Sequence, residues 1–245
     1  MIFISTPFSR AAAERLNRMN VPAYKIGSGE CNNYPLIKHI ASYRKPVILS
    51  TGMNNMDSIG QAVRILEEHK LPYALMHCTN IYHTPPHLIR LNAIGQIREA
   101  FPNAVVGLSD HSTTNYPCIA AVALGASILE RHFTDNMSRV GPDIICSMDK
   151  EACSELIKAS GIVYHAKNGN KGPVAEEEMT IKFAFASVVS IREIKKGDVF
   201  SYENIWVKRP GTGELLAADF EKVIGKRAKY DIANDSQLKW DMIYE

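Results

Sequence analysis

The feature that most narrows the fold is a repeated unit: a short apolar run stops at polar residues, and a helix-forming segment follows. Ala104–Leu108 ends at Ser109-Asp110-His111 and Ser127–Leu129 at Glu130-Arg131-His132, with the small, helix-tolerant stretch Cys118–Ala126 between them. Upstream, Ala23–Ile26 runs into Gly27–Asn33, Val47–Leu49 into Ser50–Asn54, and Tyr73–Met76 into His77–Tyr82. Continuous rather than alternating apolar runs belong to parallel strands covered by helices on both faces. Ser9–Asn20, Leu36–Tyr43, Met56–Lys70, Leu88–Ala100 and Lys150–Lys167 supply the helices, and strand starts recur roughly every 20–30 residues, the spacing of βα units in a barrel. The polar strand ends then collect at one rim, where barrel and open α/β enzymes keep their catalytic groups.

Six units begin near Ile2, Ala23, Val47, Tyr73, Val105 and Ser127, whereas a closed barrel takes eight. The expectation is an α/β protein: a (β/α)8 TIM-type barrel lacking its first two βα units, because the chain opens directly on a strand. After Asn168 the pattern changes to turns and β-formers without helix alternation. Residues 1–168 are read as the partial barrel, 169–182 as a linker, and 183–245 as a compact, mostly β domain.

Composition excludes several classes. A formal net charge of +2 with 22% charged residues carries no basic stripe, so nucleic acid is not an expected partner. No run approaches the ~18 apolar residues of a membrane helix, and Met1–Arg10 lacks the pattern of a signal peptide. Five scattered cysteines without CxxC spacing read as reduced thiols rather than a disulfide framework or zinc site. A cytoplasmic protein is expected.

Lys25 lies inside an apolar strand, where a buried ammonium has to meet an anion. Ser28 between Gly27 and Gly29 can bring backbone N–H groups close to phosphate or carboxylate oxygens. His111 and His132, one strand–helix unit apart, reach the same rim and could share one metal ion. Taken singly, each has a commoner structural explanation: a snorkelling lysine, a steric turn glycine, a satisfied core histidine.

The segments STPFS, YKIGSGECNNYPLI, PVILSTGM, HCTNIY, GLSDH, LERHFT and GPD, in this order, resemble the bacterial N-acetylneuraminate (sialic acid) synthase family, including its legionaminate-making relatives. FAFASVV, IKKGD and NIWVKRPG resemble that family's small C-terminal antifreeze-like (SAF) domain, a β-clip. The resemblance implies condensation of phosphoenolpyruvate with an N-acetylated sugar aldehyde, in that family N-acetylmannosamine, to a nine-carbon 2-keto acid and phosphate.

Carried over by motif, Thr6, Lys25, Ser28, Ser50, Asn80, Ser109 and Tyr82 are the implied phosphoenolpyruvate contacts. His111 and His132 are the implied ligands of a divalent cation, manganese first, with magnesium or cobalt as alternatives. Glu130 and Asp143 face the sugar and Glu30 lies near the phosphoenolpyruvate end. Arg209 resembles the antifreeze-like domain's contact to the N-acetyl group, made in the family across a domain-swapped homodimer, with Phe183 on the connecting segment. Family members carry two further βα units before STPFS, so the isolated chain is expected to be inactive or nearly so. Two readings from other classes stand beside this one: a non-catalytic sugar- or metal-binding remnant or scaffold, and a barrel aldolase with Lys25 as a Schiff-base nucleophile. The acyl-sugar specificity is not encoded in any motif named above.

Overall fold

The computed structural model describes residues 1–244. They form two compact units, Met1–Gly169 and the remainder from Asn170. No helix among the described residues is long and apolar enough to cross a membrane.

The first unit is built on five parallel strands in sequential order: β1 (Tyr24–Ile26), β2 (Val47–Ser50), β3 (Tyr73–Cys78), β4 (Val105–Asp110) and β5 (Ile128–Arg131). Sequential parallel order is that of a singly wound barrel wall. Helices α1 (Arg10–Arg18), α2 (Tyr34–Ala41), α3 (Met56–Glu68), α4 (Pro86–Ile89), α5 (Asn92–Ala100), α6 (Tyr116–Ala123) and α7 (Lys150–Ala166) make the crossovers and the outer layer. Local chemistry sets several of their starts: Ser9, Asn55 and Asp149 accept hydrogen bonds from Ala12, Ser58 and Ala152 backbone N–H groups, satisfying donors the first helical turn leaves free. Leu49, Leu75 and Leu108 point outward from the sheet into a core shared with Ile37, Ile40, Ile59, Leu66 and Ile94.

Three expectations need correction. Ile2–Ser5 is not a strand: Ile2, Phe3 and Ile4 are exposed, and only Ser5 bridges to Tyr24. Leu88–Ala100 is not one helix, because Arg90 takes a left-handed conformation (φ 54°) that ends α4 before α5 begins. β3, β4 and β5 also each run two residues past their apolar stretches. A parallel ladder continues wherever both neighbours supply backbone partners, as in the register pairs Cys78↔Ser109, Ser109↔Glu130 and Asp110↔Arg131. Polarity of the side chain does not stop it.

The second unit has its own core of Val188, Phe200, Ile205, Leu215, Val223 and Leu238. β6 (Ser187–Ser190) pairs antiparallel with β7 (Ile205–Lys208), and single bridges such as Ile194↔Ile232 and Val199↔Arg227 tie in the later segments. The stretch read as a linker contains a 3-10 turn at Ala175–Glu177 and helix α8 (Glu178–Ala184), so Phe183 sits in the last turn of a helix.

Candidate active site

Lys25 on β1 and Ser50 on β2 meet at the C-terminal rim of the first unit: Lys25 Nζ donates to Ser50 Oγ at 2.6 Å. The Lys25 side chain is only 12% exposed, and Glu130 Oε2 on β5 lies 3.4 Å from the same nitrogen. Glu130 therefore turns toward Lys25 while Arg131, the next residue, turns to the opposite face, as strand alternation requires.

Around this pair the other strand ends supply small polar groups. The Gly52 backbone N–H donates to Ser28 Oγ at 3.0 Å, and Asn54 Nδ2 donates to the Ser28 carbonyl at 2.9 Å. Gly52 is required by crowding: a Cβ there would stand 2.0 Å from Asn80 Oδ1 and 2.9 Å from Ser28 Oγ. Thr6 and Glu30 flank Gly27, within 3.6 Å of where its Cβ would be.

Cys78 was not among the expected site residues, yet its thiol donates to Asn80 Oδ1 at 3.1 Å and sits 4.0 Å from His111 Nδ1. Burial pushes the thiol up, against the lowering pull of the Ser109 and Ser28 hydroxyls and the Lys25 ammonium. The signal was present in the sequence: Met76, Cys78 and Asn80 alternate toward one face once β3 is extended by two residues. Thr79 also escaped notice because it acts through its backbone carbonyl, which side-chain chemistry does not announce.

His111 and His132 follow β4 and β5 directly, with ring centroids 5.4 Å apart. Tyr82, 48% exposed, stacks on His111 at 4.1 Å and meets His132 edge-on at 5.7 Å. His111 Nδ1 lies 3.0 Å from the Thr79 carbonyl. A donor there leaves Nε2 with its lone pair, the arrangement that binds a cation. Burial pushes the His111 imidazole below its ordinary range, the same direction, while the Thr79 bond opposes it. His132 Nδ1 is 3.8 Å from Asp143 Oδ2.

No cluster of three or more His, Cys, Asp and Glu side chains with metal-binding geometry exists among the described residues. The donor set is two imidazoles, which fits a divalent cation that keeps positions open for water and substrate oxygens and not a closed structural zinc site. Lys25, Ser28, Ser50, Asn80, Ser109, Glu130, the two histidines, Tyr82 and Asp143 thus occupy one continuous rim. Phe183 and Arg209 belong to the second unit, where both are exposed.

The NeuB family matches residues 1–171 and the SAF domain matches residues 185–243. The chain belongs to the NeuB family. The N,N'-diacetyllegionaminic acid synthase of Campylobacter jejuni is 34% identical over 241 residues, covering 97% of this chain and 72% of that protein. A protein of Methanocaldococcus jannaschii without an assigned activity is 39% identical, covering 98% of this chain and 72% of its own length. Among solved structures, the spore coat polysaccharide biosynthesis protein SpsE of Bacillus subtilis superposes with a TM-score of 0.65 at 32% identity, covering 100% of this chain and 74% of that one. Other NeuB-family relatives are synthases of N-acetylneuraminate 9-phosphate and pseudaminic acid, so the NeuB assignment places this chain in a nonulosonate synthase family.

Proposed function

We propose that this NeuB-family protein condenses phosphoenolpyruvate with N-acetylmannosamine to N-acetylneuraminate and phosphate, acting in the cytoplasm as a homodimer. The observation that carries the reading is the Lys25 ammonium: almost enclosed, bound to Ser50 and facing one carboxylate, it stands among the neutral donors of Ser28, Asn80 and Ser109. A small dense anion needs such a set, one fixed cation and several dipoles already oriented before it arrives.

The balance is simple. The enol carbon of phosphoenolpyruvate bonds to the aldehyde carbon, water adds at the former enol oxygen-bearing carbon, and phosphate leaves with its bridging oxygen. Lys25, Ser28, Ser50, Asn80 and Ser109 would hold the phosphate and carboxylate groups. Glu130, beside Lys25, and Asp143, beside His132, would hold sugar hydroxyls or take the proton of the attacking water, as would Glu30 at the phosphoenolpyruvate end. His111 and His132 would hold a divalent cation, manganese by preference over magnesium or cobalt. That cation would supply Lewis-acid polarisation of the aldehyde oxygen. Tyr82, stacked on His111, would join the wall around phosphoenolpyruvate.

A second acceptor, a diacetamido aldose, is favoured by the 34% identity to the legionaminate enzyme. The test is release of inorganic phosphate from phosphoenolpyruvate, with manganese, that requires the acceptor and matches formation of a 2-keto acid. Measured on this chain and on a form extended upstream to eight βα units, release with N-acetylmannosamine from either supports the reading as stated, release only with the diacetamido sugar reassigns the acceptor, and release with neither sugar from either form overturns it. Borohydride trapping with pyruvate should leave Lys25 unmodified by mass; a reduced adduct there would move the protein to the Schiff-base class.

A further inference from the structure

Behind the rim, on the opposite face of the same strands, lies a second polar cluster that none of the roles above uses. Asp110 ends β4 and Arg131 ends β5, and the two are direct partners in the parallel register. Each immediately precedes one of the two imidazoles. Alternation sends His111 and His132 to the site and Asp110 and Arg131 away from it. The pair is sealed: Arg131 Nε lies 3.4 Å from Asp110 Oδ2, with the side chains 2% and 1% exposed.

The guanidinium holds more than its carboxylate. Nη1 donates to Asn115 Oδ1 at 2.7 Å, and Nη2 donates to the Ser112 carbonyl at 2.6 Å and the Cys146 carbonyl at 3.4 Å. Asp110 in turn accepts from the Ser112 backbone N–H at 3.2 Å and its hydroxyl at 2.7 Å. Asn115 passes the connection to α7, donating to the Ala152 carbonyl and Glu155 Oε2, both at 2.8 Å. One planar group therefore fastens the loop that leaves His111, the strand end that carries His132, and the Asp143–Ser147 turn. That turn closes on itself through the Cys146 N–H and Ser147 hydroxyl, both donating to the Asp143 carbonyl.

We infer that Arg131, with Asp110 and Asn115, is a positioning residue that fixes the separation of the His111 and His132 imidazoles and the stance of Asp143, and so sets the affinity of the site for a divalent cation. The inference rests on reading His111 and His132 as cation ligands. A purely stabilising pair would need neither the fork of contacts to two backbone carbonyls and the Asn115 amide nor a place on both residues preceding the imidazoles. Only a planar guanidinium can make those contacts together; a lysine keeps the charge opposite Asp110 but offers a single point of attachment.

Manganese affinity, read from the free aqua-ion signal by electron paramagnetic resonance, tests this in the full chain alongside the thermal midpoint of the metal-free protein. In R131K, manganese binding should weaken about 10- to 100-fold, the range found when groups orienting metal ligands are removed. The KM for phosphoenolpyruvate should change less than about threefold, because Lys25, Ser28, Ser50 and Asn80 come from β1 to β3 and the loops after them, and only Ser109 shares β4 with the pair. N115A leaves the ion pair intact and removes one arm of the fork together with the tie to α7; it should weaken manganese binding by a smaller factor and guards against a misfolded R131K. Lowered thermal midpoints with unchanged manganese affinity in both variants would overturn the proposal and leave a stabilising pair. A native protein that binds no manganese would instead remove the cation-site reading, and the proposal with it.

Discussion

At the scale of single residues the site depends on fit as much as on charge. Replacing Lys25 by Met removes the enclosed cation of the proposed anion pocket, and in a form that turns over, kcat/KM for phosphoenolpyruvate should fall at least about a hundredfold, the loss typical of one preorganised charge-stabilising donor. G52A adds a single methyl against Asn80 and Ser28. It should cost about tenfold or more in kcat/KM, about 1.4 kcal/mol, mainly through KM, with circular dichroism unchanged. His77 shows the opposite case, a group outside the site that titrates. It is buried with Nε2 2.7 Å from the Ile89 carbonyl, and burial pushes its imidazole below the ordinary value of 6.5, with Arg90 adding to the effect against the Ile89 bond. Because the folded value is the lower one, the unfolded chain takes up the proton first: the contribution is whole above pH 6.5 and is lost as the pH falls below it. Urea midpoints measured at pH 7.5 and 5.5 should drop further for the native protein than for H77Q.

At the scale of elements, two predictions follow from backbone geometry. Gly107 in β4 faces Met76 Sδ and the Ile128 carbonyl of β5, each 2.5 Å from where a Cβ would stand. G107A must displace one strand, and urea unfolding should show a loss of about 1–3 kcal/mol. Arg90 holds a left-handed conformation between α4 and α5, so R90G should raise stability by about 1 kcal/mol, measured the same way. These two positions also show where the sequence could be read and where it could not. The apolar runs at Val47 and Tyr73 announced their strands because two covered faces leave few polar positions to blur them, and those at Val105 and Ile128 did so by composition although Val105 is exposed and β5 is only half-buried. The run at Ile2 carried the same composition but lacks the ladder partners that make a strand, and composition does not count partners. The break at Arg90 was invisible since arginine has no turn signature. In the site, side chains proposed to act directly stood out by polarity, Lys25 inside an apolar run and the two histidines just after the ends of theirs. The Thr79 carbonyl and the Asp110–Arg131 pair did not, because their roles exist only once two strands lie in register.

The whole molecule consists of two units with separate cores, and residues 167–174 between α7 and the Ala175–Glu177 turn are exposed along their length. Limited trypsin digestion should therefore cut first after Lys167 or Lys171, giving two fragments by mass, before any site within β1–β5 is reached; early cleavage inside the sheet would contradict it. The two faces of β4 have a further consequence. On this strand, position is read like a frame of period two: Ser109 and His111 are in phase with the chemistry, and Asp110 is in phase with its fixings. Deleting one residue from β4 upstream of Ser109 would deliver a carboxylate into the site and an imidazole into the sealed pocket behind it, exchanging the two vocabularies at a stroke. Single substitutions can be absorbed one at a time, but a change of length inside the strand cannot. Changes of length are tolerable only where no frame is kept, in the loops that leave the rim.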